Sequence, residues 1–264
     1  MSKKIVLFFF IFQLASVIAQ EQNLKANLIS TQKIDIDFFV GFDGMGNLYY
    51  IKNNVFYMKN EKESWQYKNV SLGKPTKIDI QNPLKIMLFY ENFNTIIILD
   101  NQLNETQKIN FSEKDVPIVV TSTGIASQNR LWIYNGLTQQ IGLFDYLKNT
   151  FQSITTSFQG NLKYYESDFN TFQWMDNNLN WYSCDIFGKI TTLGIVSDFD
   201  QIQVINDHAV LLSKAGKLQL QDIQKKSIDS IENVKKSFKN FYYKDQILSI
   251  FTNQEINNYK ITIP

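Results

Sequence analysis

Residues 39–60 read FVGFDGMGNLYYIKNNVFYMKN, a short β-rich run followed twice by a polar turn and another such run. Gly44, Gly46 and Asn47 can supply the first turn, between Phe42 and the apolar run 48–51. Asn53 and the asparagine after it can supply the second turn. The stretch therefore predicts two hairpins in tandem, which form a meander of antiparallel strands.

The same pattern of strand, turn and strand recurs about every 40 residues along the chain, which is the spacing of four-stranded propeller blades. Further copies lie at 84–111, 123–154, 164–193, 199–231 and 238–263. A β-sandwich or barrel would also show many short strands, but it has no reason to repeat a double hairpin at a fixed period. The stretch 223–238 comes nearest to a helical pattern, and we interpret it as an outer strand plus a connection. The sequence predicts an all-β, six-bladed β-propeller.

The ends of the chain are predicted to close the ring. The sixth copy ends after three strands, whereas the run 33–38 alternates apolar and polar residues and has no blade of its own. One blade that takes strands from both chain ends leaves no open gap between the first and last blades. We therefore expect 33–38 to pair beside the C-terminal strand as the outer strand of the last blade.

The stretch FDGMGNLYYI at 42–51 resembles the Asp-x-x-Gly-Asn-Leu-Tyr signature of six-bladed propellers of the NHL, YncE-like or TolB-like kind. The stretch 129–133, NRLWI, is similar to the same strand start. The other four copies keep the period without the Asp and Gly. This resemblance supports the fold, and it implies a platform for protein binding, since such propellers commonly serve that role.

The N-terminus follows the plan of a secretory signal peptide. Lys3 and Lys4 form a charged region, 5–18 form an apolar stretch, and 17–19 offer small or apolar residues for cleavage. The predicted organisation is a signal peptide at 1–19, a polar lead at 20–32 and a propeller domain at 33–264. No cysteine near the cleavage site offers a lipid anchor, and no later stretch is apolar enough to span a bilayer. The expected location is periplasmic or secreted.

The composition argues against nucleic-acid and membrane partners and against an internal disulfide. The formal net charge is +1, so no strong field attracts nucleic acid or an anionic membrane. Cys184 is the single cysteine, so no internal disulfide is possible, and we expect this thiol to be a buried small hydrophobe.

The residues that common catalytic chemistry needs do not occur in recognisable patterns. His208 is the single histidine and lies in a predicted turn, where an exposed, non-catalytic role is expected. The pairs Asp35/Asp37 and Asp198/Asp200 lack the spacing of a calcium loop and are expected on solvated faces. No catalytic residue, metal ligand or cofactor is therefore predicted. A propeller hydrolase or lyase, with a divalent metal held by carboxylates from several inner strands, remains the alternative.

Aromatic residues recur near the predicted strand ends, where they could form a face for protein or sugar binding. The candidate binding residues are Tyr90, Arg130, Tyr165, Trp174 and Tyr243. The predicted function is an exported, non-enzymatic binding or scaffold module of the bacterial cell envelope, with a protein partner. A carbohydrate-binding propeller is a further alternative, and it would need coplanar exposed rings.

Overall fold

The computed structural model of the protein describes residues 23–114, 117–158 and 162–263. The predicted signal peptide, 1–19, lies outside the described residues. In the described part of the chain, 25 strands form six sheets, which are the blades of a six-bladed propeller. The predicted fold class is confirmed.

Each blade is a meander in which successive strands pair antiparallel, from the inner strand at the axis to the outer strand at the rim. Blade 1 contains β3 (Phe38–Phe42), β4 (Leu48–Lys52), β5 (Val55–Lys59) and β6 (Ser64–Tyr67). Blade 2 contains β7 (Lys77–Asp79), β8 (Ile86–Tyr90), β9 (Thr95–Leu99) and β10 (Glu105–Asn110). Blade 3 contains β11 (Val120–Ala126), β12 (Arg130–Asn135), β13 (Gln140–Asp145) and β14 (Thr150–Ser153).

The remaining blades follow the same order. Blade 4 contains β15 (Leu162–Ser167), β16 (Thr171–Asp176), β17 (Asn180–Asp185) and β18 (Ile190–Ile195). Blade 5 contains β19 (Gln201–Val204), β20 (Ala209–Lys214), β21 (Lys217–Asp222) and β22 (Ser227–Glu232). Blade 6 contains β23 (Asn240–Lys244), β24 (Ile247–Phe251) and β25 (Glu255–Lys260). The segment 223–238 forms an outer strand and a connection, as predicted. Short 3₁₀ helices occupy Glu91–Phe93 and Phe111–Glu113, and no helix of the described residues has the length and apolar character needed to cross a bilayer.

The N-terminal strands close the ring. β2 (Asn27–Lys33) pairs antiparallel with β25 as the outer strand of blade 6, and β1 (Leu24–Lys25) adds a parallel strand to the edge of β22. The predicted closure by strands from both chain ends is therefore confirmed, but the predicted position, 33–38, is wrong. All seven residues of β2 are exposed, so this strand has no apolar alternation to mark it. The alternation at 34–36 has another cause, because Ile34 and Ile36 pack into the core between blades 6 and 1.

The core consists of apolar layers between successive blades. The side chains of Ile86, Leu88 and Tyr90 face blade 1, whereas Met87 and Phe89 of the same strand face blade 3. A strand that is buried on both faces needs apolar residues at every position, as β8 shows with the sequence IMLFY. The last layer, between blades 6 and 1, brings Phe39 and Leu48 against Phe251 and Ile256.

A buried aspartate organises the turn that the sequence motif predicts. The carboxylate of Asp43 accepts hydrogen bonds from the backbone N–H groups of Met45 and Asn47, at 2.8 and 2.9 Å. It also accepts from Asn47 Nδ2 at 2.7 Å and from the Tyr49 hydroxyl at 2.9 Å. Gly46, with φ +82°, takes the left-handed conformation that this turn requires.

The same turn occurs outside the two copies in which the motif is visible in the sequence. Asp100 accepts from the backbone and side chain of Asn104, and Asp176 accepts from those of Asn180. Leu103 and Leu179 hold the left-handed position, with φ 59° and 67°. These turns lie elsewhere in their blades than the Asp43 turn does, because they join β9 to β10 and β16 to β17. Leucine in place of glycine hides the motif while the aspartate and asparagine keep its hydrogen bonds.

Candidate functional site

A cavity of about 630 Å³ follows the axis of the propeller. It is lined by the inner strands of blades 1, 2, 4, 5 and 6, and its polar lining includes Lys77, Asp79, Glu166, Gln203 and Asn240. No described residue of blade 3 lines it, and the side chains of Asp79 and Ser167 lie close to Gly124 in β11. A Cβ atom at Gly124 would lie 1.9 Å from Ser167 Oγ and 3.5 Å from Asp79 Oδ2.

The carboxylate of Asp79 connects blade 2 to blade 3. Its Oδ2 accepts the backbone N–H of Ile125 at 2.9 Å, and its Oδ1 accepts that of Gln81 at 2.9 Å. Burial raises the pKa of this carboxyl, although the two N–H donors and the charge of Lys77 act in the opposite direction. Each carboxylate oxygen of Asp79 is thus engaged by backbone.

Glu166 makes the equivalent connection from blade 4 to blade 5. Its Oε2 accepts the backbone N–H of Val204 at 3.1 Å and the hydroxyl of Tyr164 at 2.5 Å. Burial, together with the charge and the hydrogen bond of Glu166, holds the pKa of Tyr164 well above its ordinary value. Tyr164 is therefore a neutral donor to the carboxylate.

Side-chain amides connect the next two pairs of blades. Gln203 donates to the carbonyl of Tyr243 and accepts its N–H, both at 2.7 Å. Asn240 Nδ2 donates to the carbonyl of Phe39 at 2.6 Å, which joins blade 6 to blade 1. Polar side chains at the axis thus pair with backbone N–H and carbonyl groups of the next blade. Without these side chains, those backbone groups would be buried without a hydrogen-bond partner.

A further charge in the cavity is that of Lys77. Its Nζ lies 4.9 Å from the ring centre of Tyr165 and 5.9 Å from that of Tyr164, and it is 3.4 Å from the carbonyl of Tyr165. Within the described ranges, no three His, Cys, Asp or Glu side chains lie close enough together to hold a metal ion. The axial residues connect blades 2 to 3, 4 to 5, 5 to 6 and 6 to 1 by hydrogen bonds.

The structure separates the five binding residues that the sequence suggested. Tyr90 and Trp174 are 2% and 4% exposed and lie in the apolar layers between blades. Tyr165 stacks on Phe172 beside the cavity, and the backbone of Tyr243 exchanges hydrogen bonds with Gln203. Arg130 is partly exposed and is the first residue of β12.

The other titratable groups of interest also have structural partners. Asp35 pairs with Lys52 at 2.7 Å, and Asp37 accepts the N–H of Asn53 at 2.6 Å. Asp198 and Asp200 both pair with Lys214, at 2.7 and 3.1 Å. His208 lies in its predicted turn, with Nδ1 3.5 Å from Asp222 Oδ2.

A second site lies where loops of blades 2, 3 and 4 meet at one end of the propeller. We call it the blade 2–4 surface and define it by Leu84, Lys85, Arg130, Leu147 and Phe169. Leu84 and Leu147 are 64% and 65% exposed, and Phe169 is 37% exposed. The three apolar side chains come from different blades. Hydrogen bonds between the loops therefore hold them near one another.

Those hydrogen bonds fix the loops to one another. Lys85 Nζ donates to Asn129 Oδ1 and, at 3.0 Å, to the Tyr146 hydroxyl, which itself lies 3.1 Å from Asn129 Oδ1. Ser127 N–H donates to the carbonyl of Phe169 at 2.9 Å. Trp132 Nε1 adds a bond of 2.8 Å to the carbonyl of Asp168. Leu84 and Leu147 are thus the chain neighbours of Lys85 and Tyr146, which are bonded to each other. Phe169 is itself bonded, through its carbonyl, to Ser127.

Two cations of this surface are held by neutral acceptors. Arg130 donates from Nε to the carbonyl of Ser127 and from Nη2 to its hydroxyl, both at 3.1 Å. Neither Arg130 nor Lys85 forms an ion pair with a carboxylate of the described residues, whereas Lys148 pairs with Asp145 at 3.5 Å. Sequence reasoning suggested Arg130 but not the leucines, since a leucine in a turn carries no signal until the loops are brought together.

Comparisons with known proteins show the fold and not a family. No protein-family model matches the chain, and no curated protein matches it in sequence. Solved structures do match: virginiamycin B lyase from Staphylococcus aureus has a TM-score of 0.57 at 10% identity, with 92% of this chain and 96% of that chain covered.

Two further matches are not described as lyases. The β-propeller domain of Cps50 (Swd1) from Myceliophteria thermophila has a TM-score of 0.58 at 9% identity, covering 90% of this chain and all of that chain. BBS1N, in a structure with ARL6DN, has a TM-score of 0.53 at 10% identity, covering 85% of this chain and 77% of that chain. Structures of such different description share the fold, so the fold alone does not select a function.

Proposed function

We propose that the protein is an exported, non-catalytic propeller of the cell envelope that binds a protein partner. The observation that carries the proposal is the blade 2–4 surface, where exposed apolar side chains from three blades lie on loops fixed by hydrogen bonds. Rigid, partly apolar surfaces bind proteins at a low cost in lost conformational entropy. BBS1N, which shares the fold, was crystallised in complex with ARL6DN, and this is consistent with such a role.

The axial cavity supports binding over catalysis. A general acid or base must reach a substrate atom with its proton-accepting oxygen free. Asp79 instead accepts backbone N–H groups with both of its oxygens, and Glu166 Oε2 accepts the N–H of Val204 and the hydroxyl of Tyr164. A metal-dependent hydrolase or lyase would need ligands that meet at one point, which the described axial residues do not provide.

Export is the part of the proposal that rests on sequence alone. The charged and apolar regions of 1–19 support a cleaved signal peptide and a mature N-terminus at Gln20. The intact mass of the protein from its native host tests this directly. A mass that retains 1–19 would contradict export by cleavage.

Cross-linking in the native host tests the binding function. The tagged protein is treated with a lysine-reactive cross-linker in intact cells, purified under denaturing conditions and analysed by mass spectrometry. We expect one or a few proteins linked to defined lysines, and we expect them to be absent from cells that export an unrelated tagged propeller. Recovery of the same proteins with both baits would refute the binding function.

A further inference from the structure

We infer that the blade 2–4 surface binds a protein segment that combines acidic with large apolar side chains. This inference rests on the proposed function and names the chemistry of its partner. Three features of the surface support it: the placement of its apolar side chains, the charges that surround them and the rigidity of the loops.

The apolar part of the partner follows from Leu84, Leu147 and Phe169. A leucine that is about two-thirds exposed gains free energy when a second apolar surface excludes water from it. Single exposed leucines are ordinary, but these apolar side chains come from three blades and are joined through bonded neighbours. A linear segment with large apolar side chains can cover them together.

The acidic part of the partner follows from the balance of charge. Lys85 and Arg130 are held by hydroxyl, amide and carbonyl oxygens, so their positive charges are not neutralised within the described residues. The nearby carboxylates are already engaged: Asp145 accepts two backbone N–H groups and pairs with Lys148, and Asp168 accepts the N–H groups of its own turn. A carboxylate of the partner would complete the guanidinium fork of Arg130, which matches that group in shape.

The rigidity of the loops favours a preformed site. Tyr146, Asn129 and Lys85 bond to one another, and the N–H of Tyr146 donates to the carbonyl of Asn129 at 3.2 Å. The Phe169 loop is fixed to blade 3 through Ser127 and Trp132. The partner segment therefore meets side chains that need little ordering on binding.

The experiment selects peptides against the purified mature protein from a phage-displayed library of random linear peptides. The counter-target is the L147D variant, and the control is M45D. Met45 is 65% exposed, as Leu147 is, and lies in a turn of blade 1 at the same end. Both changes are on the surface, so both variants are expected to keep the fold, which thermal melting verifies.

We expect the selected peptides to be richer in Asp, Glu and large apolar residues than the input library. A labelled peptide should bind L147D at least about tenfold more weakly than the wild type and M45D about equally, by fluorescence anisotropy. R130Q should weaken binding and reduce its dependence on salt, since one screened charge contact is lost. Neutral or basic selected peptides, equal binding to L147D, or no enrichment over the counter-target would overturn the inference.

The two proposals fail in different ways. If cross-linking finds a specific partner that wild type, L147D and M45D bind equally, the binding function stands and the blade 2–4 surface is the wrong site. If cross-linking finds no specific partner, the binding function itself fails.

Discussion

The turn at Asp43 tests how burial changes the contribution of a hydrogen-bonded turn to the free energy of unfolding. Asp43 and Asp100 accept equivalent bonds from residues two and four positions later, but Asp43 is 4% exposed and the Asp100 turn is open to water. The D43A change leaves the side chain of Asn47 and the hydroxyl of Tyr49 buried without their acceptor. After the D100A change, water can accept from the N–H groups that Asp100 bonded.

The expected magnitudes differ several-fold. Hydrogen bonds to a charged acceptor contribute about 1.5–3 kcal/mol each, and a buried donor left unpaired costs about 1–3 kcal/mol. Because the bonds of one carboxylate are not additive, we expect D43A to lower the free energy of unfolding by about 4 kcal/mol. For D100A we expect about 1 kcal/mol, since water replaces the lost acceptor. In Tm the losses correspond to roughly 8–16 °C and 2–4 °C for a domain of this size.

Urea denaturation followed by tryptophan fluorescence measures both free energies, and calorimetry measures both Tm values. The D43N variant is the matched control, because it keeps the shape and one acceptor oxygen, so its loss should lie between those of D43A and the wild type. Equal losses for D43A and D100A would refute the reasoning that burial sets the strength of this turn.

Three further outcomes are expected. Burial raises the pKa of the Cys184 thiol to about 12, so alkylation should be slow in native protein and fast in urea, and fast native labelling would contradict its burial. Deletion of 20–33 removes β1 and β2 and should lower the Tm of the whole domain, whereas deletion of 20–23 should leave the Tm unchanged. If the two deletions give the same Tm, β2 does not close the ring. Burial tends to raise the pKa of the Asp100 and Asp176 carboxyls, but hydrogen bonds from Asn104 and Asn180 lower them below the unfolded value on balance. Their stabilisation is therefore present above that value, near about 3.9, and lost as pH falls through the folded pKa. Stability should decline below about pH 4, and the double change D100N and D176N should flatten that decline.

The sequence predicted the period, the class and the closure of the fold because turns at a fixed spacing are local features. It missed β7, since Lys77–Asp79 is a strand of three residues with two charged side chains. It misplaced the closing strand because β2 is exposed along its whole length. Backbone pairing alone forms that strand, and pairing leaves no mark in the side-chain pattern.

The candidate site was less accessible from the sequence. Aromatic residues near strand ends pointed to Tyr90 and Trp174, yet in a propeller the ends of the middle strands are covered by neighbouring blades. The roles of Asp79 and Glu166 depend on contacts with the next blade, Ile125 and Val204, which lie far along the chain. Arg130 was suggested as a binding residue. The other residues of the blade 2–4 surface are distant from it in sequence, and only the fold brings them near it.

The central claim is that the protein acts through its blade 2–4 surface and not through chemistry at its axis. The direct measurement is the amount of partner that cross-links in the native host to each of four variants of the protein, relative to the wild type. L147D changes the surface, and M45D is its matched control. D79N and E166Q keep the shape of the axial side chains, and thermal melting verifies their fold, since D79N takes an acceptor from one backbone N–H group. We expect partner recovery to be lost with L147D and kept with the other three. Retention with L147D together with loss in D79N or E166Q would contradict the claim and place the function at the axis.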